Sequence, residues 1–259
     1  MGKTILAQRT AEGRYDLVLN RPDKFNALSQ ALLAELLAEL SGIAADGRAR
    51  VVVLSGAGKA FCAGHDLAEM QADRNLAVYR ALFAACTEVM EAIATLPVPV
   101  IAKVHGVATA AGCQLVGACD LAVASESARF AVSGINVGLF CSTPAVALSR
   151  NVPAKRAFEM LVTGKFIDAR TASDWGLVNT VVPAEALDAA TDDLVGTILA
   201  KNPDAIRRGK ALFNAQRECS RTEAYALACE VMAQNMMDEY TDEGINAFLE
   251  KRRPVWRRN

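Results

Sequence analysis

Two segments of this chain have the residue types of turns that can bind an anion. One is KAFCAGHDL at residues 59–67, and the other is VHGVATAAGCQLVGACD at residues 104–120. In each, an apolar run typical of a β-strand is followed by small residues and then by the start of a predicted helix. The first N–H groups of a helix have no partner within it, so two such turns can direct N–H groups at one point. Such a pair forms an oxyanion hole, which stabilises negative charge on a carbonyl oxygen.

Apolar runs and helical periodicity predict the elements that carry these segments. A helix capped by Ser29 and closed by Gly42 follows a first strand, and a long amphipathic helix covers residues 75–96. Strands are predicted at residues 15–20, 51–54, 99–104 and 120–124. Because helical stretches separate these strands, we expect parallel crossovers and an α/β fold rather than an antiparallel meander.

The last part of the chain is predicted to be helical. Helices are predicted at residues 183–200, 203–218, 222–237 and 241–252, and no linker rich in Gly, Pro or Ser precedes them. We therefore divide the chain into a core at residues 1–195 and a C-terminal helical region at residues 196–259.

Segments along most of the chain resemble the enoyl-CoA hydratase/isomerase (crotonase) superfamily. They are LNRPDKFNAL at residues 19–28, the two segments above, GLV and VVP within residues 176–183, and EGINAFLEK at residues 243–251. The resemblance implies a crotonase-like spiral core of β-β-α units, with C-terminal helices that mediate self-association as a homotrimer or hexamer. It also implies an acyl-CoA thioester as the ligand, with coenzyme A as part of the substrate and no separate cofactor.

The resemblance assigns the two oxyanion donors to the backbone N–H groups of His65 and Ala111. The family usually has Gly at the second position, but Ala can serve because the donor is main chain. The His65 side chain has two interpretations. It is a third polar group near the thioester or, as we favour, a half-buried ring hydrogen-bonded to the backbone. Asp66 is expected to cap the helix that follows.

The hydratases of this family use two glutamates on either side of a water molecule, and the matching positions here are Gln114 and Gly134. Hydration needs a base that takes a proton from water and an acid that protonates the α-carbon, and neither residue can do this. Three functions therefore stay open. They are an enoyl-CoA hydratase/isomerase-type enzyme that uses another carboxylate, a non-catalytic acyl-CoA-binding protein, and a different thioester reaction such as hydrolysis. Other available carboxylates include Glu69, Glu88 and Glu126.

Two further stretches are typical of a distinct subgroup in which these glutamates are also absent: AAGCQL at residues 110–115 and NVGLFCSTP at residues 136–144. In the second stretch, Thr143 followed by Pro144 predicts a helix with Thr143 as its N-cap and Pro144 as its first residue. Cys141 is either a nucleophile with His65 as its base or, as we favour, an unreactive thiol.

The resemblance places coenzyme A along the early segment, the first turn and the C-terminal helix. The matching residues are Lys24, Ala27, Ala63, Asp66, Leu67, Phe248 and Lys251. For Lys24 and Lys251, a solvated surface lysine is an equally good interpretation. The basic stretch at residues 251–258 is better interpreted as a solvated helix end than as a nucleic-acid site.

Composition excludes several classes of function. The 259 residues carry a net charge of −1, which gives no general attraction to nucleic acid or membranes. No apolar run is long enough to span a bilayer and no signal peptide is visible, so we expect a cytoplasmic location. The two histidines are far apart in sequence, which excludes a His-rich metal site. The seven cysteines are odd in number and include no CxxC pair, so we expect reduced thiols.

Overall fold

Residues 2–256, the part of the chain described by a computed structural model, contain nine β-strands in two sheets. They are β1 Ile5–Arg9, β2 Arg14–Leu19, β3 Val51–Gly56, β4 Val100–Val104, β5 Val107–Thr109, β6 Leu121–Ser125, β7 Arg129–Ala131, β8 Ile167–Asp168 and β9 Thr180–Val182. The larger sheet has the order β1-β2-β3-β4-β6-β9, and only its β1–β2 pair is antiparallel. The predicted strands and their parallel arrangement are confirmed, with strand ends displaced by one or two residues.

The second sheet has the order β5-β7-β8. Its strands β5 and β7 directly follow β4 and β6 of the first sheet along the chain. Only His105 and Gly106 separate β4 from β5, and three residues separate β6 from β7. The pairs β4–β5 and β6–β7 therefore each contribute one strand to each sheet before a helix follows. This is the β-β-α spiral expected for a crotonase-like core.

The same residues contain eleven α-helices. They are α1 Gln30–Ala45, α2 Leu67–Ala72, α3 Leu76–Thr95, α4 Ala111–Ala118, α5 Ser142–Asn151, α6 Ala154–Thr163, α7 Ala169–Asp174, α8 Leu187–Leu199, α9 Pro203–Gln216, α10 Arg221–Met236 and α11 Glu239–Leu249.

Helix ends show which local signals decide a boundary. Ser29 caps α1 as expected, because its hydroxyl accepts the N–H of Leu32 at 3.2 Å. The expectation that Gly42 closes this helix is wrong. Gly42 is not left-handed, and its carbonyl accepts the N–H of Asp46, so α1 continues to Ala45. Helix α5 begins at Ser142 with Cys141 at the N-cap position, two residues before the predicted N-cap Thr143.

The core is built on strands that are buried on both faces. Val52 and Leu54 of β3 pack into the main cluster, whereas Val51 and Val53 pack into a second cluster under α8. This two-sided burial explains why β3 is a continuous apolar run without alternation.

The C-terminal helices differ in how much they bury. Helix α8 packs Leu187 and Val195 against the large sheet, and it follows a short 3₁₀ turn, Ala184–Ala186, rather than starting at residue 183. Helix α10 buries no residue, although Ser220 and Glu223 form a capping box at its start. The boundary between residues 195 and 196 stays a prediction. The end of the second region and part of the basic stretch, residues 257–259, lie outside the described residues.

Along residues 2–256, no helix is both long and apolar enough to cross a membrane.

Candidate functional site

The first turn, residues 63–66, follows the end of β3 after six residues and leads directly into α2. Gly64 adopts φ 91°, a conformation that favours glycine. Leu28 bonds to the turn on both sides of His65: its N–H donates to Gly64 O at 2.8 Å, and its carbonyl accepts the N–H of Asp66 at 3.1 Å. The N–H of His65 lies between these two bonds and therefore points away from Leu28.

The second turn, residues 109–112, connects β5 to α4. Ala110 has φ 51° and ψ −121°, a strained conformation for a residue with a Cβ atom. The N–H of Ala110 donates to Ala131 O at 3.0 Å, and its carbonyl accepts the N–H of Gln114 at 3.1 Å. Ala111 is the first residue of α4, where a helical N–H has no partner in its own helix.

The two turns touch each other at Gly64. A Cβ atom on Gly64 would lie 2.9 Å from Ala110 Cβ, 3.1 Å from Thr109 O and 3.3 Å from Ala111 N. Two backbone bonds through Cys62 fix this contact, one from Thr109 N at 3.0 Å and one to Val107 O at 3.1 Å. Among the described residues, neither the N–H of His65 nor that of Ala111 has a backbone acceptor. Two free donors thus lie on adjoining turns.

The His65 ring is held by an aromatic contact rather than a hydrogen bond. It meets Phe83 edge-on, with ring centroids 5.4 Å apart. Its Nε2 is buried, and within residues 2–256 no hydrogen bond to the ring is found, so the favoured interpretation of a ring bonded to the backbone is wrong. Burial without a partner lowers the pKa of His65 to about 4, because the charged form is poorly solvated there. The ring is therefore neutral near pH 7.

The two positions matching hydratase glutamates have different surroundings. Gln114 is 5% exposed, and its Oε1 is buried without a hydrogen-bond partner in the described chain. Gly134 lies in a 3₁₀ turn, Ser133–Val137, where a Cβ atom would be 2.5 Å from Leu139 O and 2.8 Å from Cys141 Sγ. The second position is therefore closed to any side chain without backbone movement.

A pair of hydroxyl groups connects this closed position to the second turn. Thr109 Oγ1 and Ser133 Oγ are 2.8 Å apart. Because Thr109 precedes the strained Ala110 and Ser133 precedes Gly134, this contact fixes both positions relative to each other. The sequence analysis missed Thr109, Ser133 and Phe83. The only signal for the first two was a small hydroxyl residue close to a candidate position, two residues before Ala111 and directly before Gly134.

The family model for enoyl-CoA hydratase/isomerase matches residues 10–259. The chain belongs to the enoyl-CoA hydratase/isomerase family. Mitochondrial enoyl-CoA hydratase domain-containing protein 3 of Xenopus laevis is 44% identical over 253 residues, which cover 98% of this chain and 85% of that protein. Its Homo sapiens counterpart is 43% identical over 248 residues, covering 96% and 82%.

Solved structures agree with this assignment. An enoyl-CoA hydratase from Mycobacterium smegmatis has a TM-score of 0.97 at 58% identity, covering 98% of this chain and 99% of that one. Human enoyl-CoA hydratase domain-containing protein 3 has a TM-score of 0.93 at 42% identity, covering 98% and 100%. The crotonase superfamily and the subgroup of that human protein, both predicted from the sequence, are confirmed. The names of the vertebrate relatives place those proteins in mitochondria, and a cytoplasmic location for this chain stays a prediction.

In this family member, Arg21 links the early segment to the first turn. Its Nη1 donates to Ala27 O at 2.6 Å, and its Nη2 pairs with Asp66 Oδ2 at 2.8 Å. The other oxygen of Asp66 caps α2, as expected, by accepting the N–H groups of Ala68 and Glu69. Both carboxylate oxygens of Asp66 are thus engaged in positioning the turn.

Asn26 is a second positioning residue that the sequence analysis missed. It is fully buried, and its Nδ2 donates to Ala57 O and Ala60 O, each at 2.8 Å. Its φ of 53° is left-handed, which Asn tolerates better than most residues. Phe25, the residue before Asn26, accepts the N–H of Ala63 at its carbonyl at 3.0 Å. This bond joins the early segment directly to the first turn.

The seven residues proposed for coenzyme A fall into two groups. Ala27, Ala63 and Asp66 are brought together by the bonds above, with Lys24 and the 56% exposed Leu67 on their outer side. Phe248, which is 82% exposed, and Lys251 are at the end of α11, which packs against α10. Within residues 2–256, no hydrogen bond or ion pair joins the second group to the first.

Each alternative reactive group is either hydrogen-bonded or exposed in this structure. Cys141 Sγ accepts the N–H of Gly134 at 3.3 Å, and burial raises the pKa of its thiol, in agreement with an unreactive cysteine. Glu69 accepts the N–H of Gln30 at 3.0 Å, and Glu88 and Glu126 are exposed. Within residues 2–256, no group of three or more potential ligands could hold a metal ion.

Proposed function

We propose that this chain binds an acyl-CoA thioester and polarises its carbonyl oxygen between the N–H groups of His65 and Ala111. The observation that carries the proposal is the contact of the two turns at Gly64, which holds two free backbone donors on adjoining segments. Donors fixed before the reaction stabilise developing negative charge without reorganisation, and each is worth roughly 3 kcal/mol in such sites.

Coenzyme A enters the proposal as part of the substrate, along Lys24, Ala27, Ala63, Asp66 and Leu67. Phe248 and Lys251 would reach it from a neighbouring subunit in a homotrimer or hexamer. Two observations favour such self-association. Helix α10 buries no residue in its own chain, and the apolar side chains of Met232 and Met237 are exposed. Light scattering on the purified chain measures the mass, and a monomer would contradict this part of the proposal.

The reaction that follows polarisation is proposed to differ from ordinary hydration. Gln114 cannot exchange protons at neutral pH, and Gly134 has no room for a carboxylate. These two observations favour the two alternative functions, which are acyl-CoA binding without turnover and a different thioester reaction such as hydrolysis. An enoyl-CoA hydratase/isomerase-type reaction would need a carboxylate from another part of the fold.

Carbonyl polarisation is tested by infrared spectroscopy of butyryl-CoA labelled with ¹³C at the thioester carbonyl. Binding to the chain should shift the carbonyl stretch to lower frequency, because two hydrogen bonds weaken the C=O bond. Bound ligand with an unshifted stretch, or no binding at all, would contradict the proposed function.

Turnover is measured separately with crotonyl-CoA. Loss of the enoyl-thioester absorbance without release of free coenzyme A reports hydration, and chromatography of free coenzyme A reports hydrolysis. Chromatography is preferred to a thiol reagent because Cys219 and Cys229 are exposed and would react with it. Binding with neither product identifies an acyl-CoA-binding protein, whereas rapid hydration would show that another acid replaces the two glutamates.

A further inference from the structure

The imidazole of His65 is a buried acid–base group that the proposed function does not use. Its Nε2 is buried and has no hydrogen-bond partner within residues 2–256. The ring meets Phe83 of α3 edge-on, with centroids 5.4 Å apart, and this contact fixes its orientation. A buried nitrogen without a partner is destabilising, so the fold holds this group ready for a partner that the chain itself does not supply.

The ring lies next to the proposed position of the thioester carbonyl. In the proposed function the main chain of His65 binds that carbonyl, and the side chain begins only two covalent bonds from the donor nitrogen. Thr87, one turn after Phe83 on the same face of α3, lines a cavity of about 760 Å³ that Gln114 of α4 also borders. The contact with Phe83 therefore holds the ring between the first turn and an open space beside both helices.

The other ionisable side chains at the two turns are already engaged. Asp66 pairs with Arg21 and caps α2. The carboxylate of Glu69 accepts a backbone N–H at 3.0 Å, and Cys141 Sγ accepts another at 3.3 Å. Of these groups in the described chain, the His65 ring alone is buried and has no hydrogen bond.

A neutral imidazole in this position can do the work of a carboxylate. Burial lowers the pKa of His65 to about 4, close to the value of about 4.3 for an ordinary glutamate. The ring is therefore unprotonated at pH 7, and in the tautomer that carries its proton on Nδ1 the electron pair of Nε2 is free. Both histidine and glutamate act as general bases in enzymes.

We propose that His65 is the general base of thioester hydrolysis at this site. The inference rests on the proposed function, since it takes the carbonyl to lie between the N–H groups of His65 and Ala111. Nε2 removes a proton from water as the water oxygen bonds to the carbonyl carbon, and the carbonyl π pair moves onto the oxygen held by the two donors.

The second half of the reaction returns that proton. The electron pair on the oxygen re-forms the carbonyl, the C–S bond breaks, and the sulfur of coenzyme A leaves with the proton from Nε2. Water and the acyl thioester thus become a carboxylic acid and free coenzyme A, and no other reactant is needed.

The test measures release of coenzyme A from butyryl-CoA by chromatography. Binding is measured separately by calorimetry with butyryl carba(dethia)-coenzyme A, which has a methylene group in place of the thioester sulfur and cannot be hydrolysed. His65→Gln keeps the backbone N–H and removes the base, so hydrolysis should fall at least about 100-fold. Binding of the analogue should stay within about threefold of wild type.

Two further variants separate the base from a structural role. His65→Glu supplies a carboxylate of similar basicity and should keep more hydrolysis than His65→Gln. His105→Gln is the matched control, because His105 is the other histidine, lies outside both turns and has its Nε2 2.9 Å from Gly58 O. Hydrolysis by this variant should equal that of wild type.

Three outcomes would overturn the inference. One is hydrolysis that survives in His65→Gln. Another is wild type that binds the analogue but releases no coenzyme A, as expected if water merely solvates the ring. The third is loss of analogue binding in His65→Gln in proportion to the loss of hydrolysis, which would give the ring only a supporting role in the turn. If wild type does not bind the analogue, the proposed function itself has failed, and the inference with it.

Discussion

Gly64 lies so close to Ala110 that a Cβ atom on the glycine would be 2.9 Å from the Cβ of the alanine. We expect Gly64→Ala to push the two turns apart and to weaken acyl-CoA binding by at least about tenfold, because the two donors then no longer converge. Calorimetric titration with butyryl-CoA measures the effect. The N–H of Ala111, 3.3 Å from the new Cβ atom, is the donor most directly displaced.

Gly176→Ala separates this effect from simple backbone strain. Gly176 has φ 87°, close to the φ 91° of Gly64, and its Cβ atom would meet only Asn151 O at 3.2 Å. Both variants should lose about 1–3 kcal/mol of unfolding free energy. Only Gly64→Ala should lose ligand binding, and equal losses of binding in both would contradict the role given to the contact.

Restoring the second hydratase glutamate is expected to fail for lack of space. Already Gly134→Ala should cost about 1–3 kcal/mol of unfolding free energy, because its Cβ atom would be 2.5 Å from the backbone oxygen of Leu139. Gly134→Glu should cost at least as much. Urea unfolding of both variants measures these costs.

Gly196→Ala in α8 is the control for this prediction. Nothing lies within 4 Å of its Cβ position, so the alanine should be neutral or stabilise the helix by up to about 1 kcal/mol. A Gly134→Ala variant as stable as wild type would show that the 3₁₀ turn yields easily, and the position would then be open to a carboxylate.

Features set by neighbouring residues were predicted from the sequence, and features set by distant contacts were not. The Ser29 and Asp66 caps were predicted because a cap is a bond between a side chain and N–H groups two or three residues away. Gly42 was misjudged because glycine ends a helix only where it becomes left-handed. The backbone of α1 simply continues through it.

The strained Ala110 shows why the site itself was only partly predicted. Its conformation is imposed from outside, by its bond to Ala131 and by the contact with Gly64, and an alanine in the sequence gives no sign of this. The family resemblance supplied the positions of His65 and Ala111. The unpartnered ring of His65 and the lack of space at Gly134 depend on packing that only the structure describes.

His65 makes stability depend on pH in a defined window. Its pKa is about 4 in the folded chain against 6.5 ordinarily, so between these values the unfolded chain binds a proton that the folded chain does not. Stability from this group is therefore complete above pH 6.5 and is lost as the pH falls toward 4, by about 3 kcal/mol in total.

Urea unfolding between pH 4 and pH 7 tests this on wild type and on His65→Gln, which cannot titrate. The difference between the two curves should change over that window by the stated amount and be flat above it. NMR titration of the ring gives the pKa directly, with the variant identifying the His65 signal. A ring that titrates near 6.5 would show that His65 is solvated.

The ion pair of Lys210 and Asp120 anchors α9 to the core. Lys210 Nζ donates to Ile93 O at 2.9 Å, to Val98 O at 3.0 Å and to Asp120 Oδ2 at 2.6 Å, and its side chain is 7% exposed. Lys210→Met should cost about 1–3 kcal/mol of unfolding free energy, because the partly buried carboxylate of Asp120 loses its counter-ion and the carbonyls of Ile93 and Val98 lose their donor. Lys103→Met is the control, since its partner Asp188 is 81% exposed and its loss should cost under about 1 kcal/mol.

The deficit of Lys210→Met should itself depend on pH. Burial already raises the pKa of Asp120 in the intact chain, and removing the cation that opposes this raises it further. A carboxyl group with a raised pKa keeps its proton in the folded state at a pH where the unfolded chain has lost it. The unfolding free energy therefore falls as the pH rises from the pKa of the unfolded state to that of the folded state. Urea midpoints of the variant should therefore approach those of wild type as the pH is lowered toward 4.

Adding Asp120→Asn to Lys210→Met should recover part of the lost unfolding free energy at pH 7, because an amide oxygen can still accept the N–H of Val100 without carrying a charge. A deficit that stays constant with pH would show that the lost bonds to Ile93 and Val98, rather than the unpaired carboxylate, account for the cost.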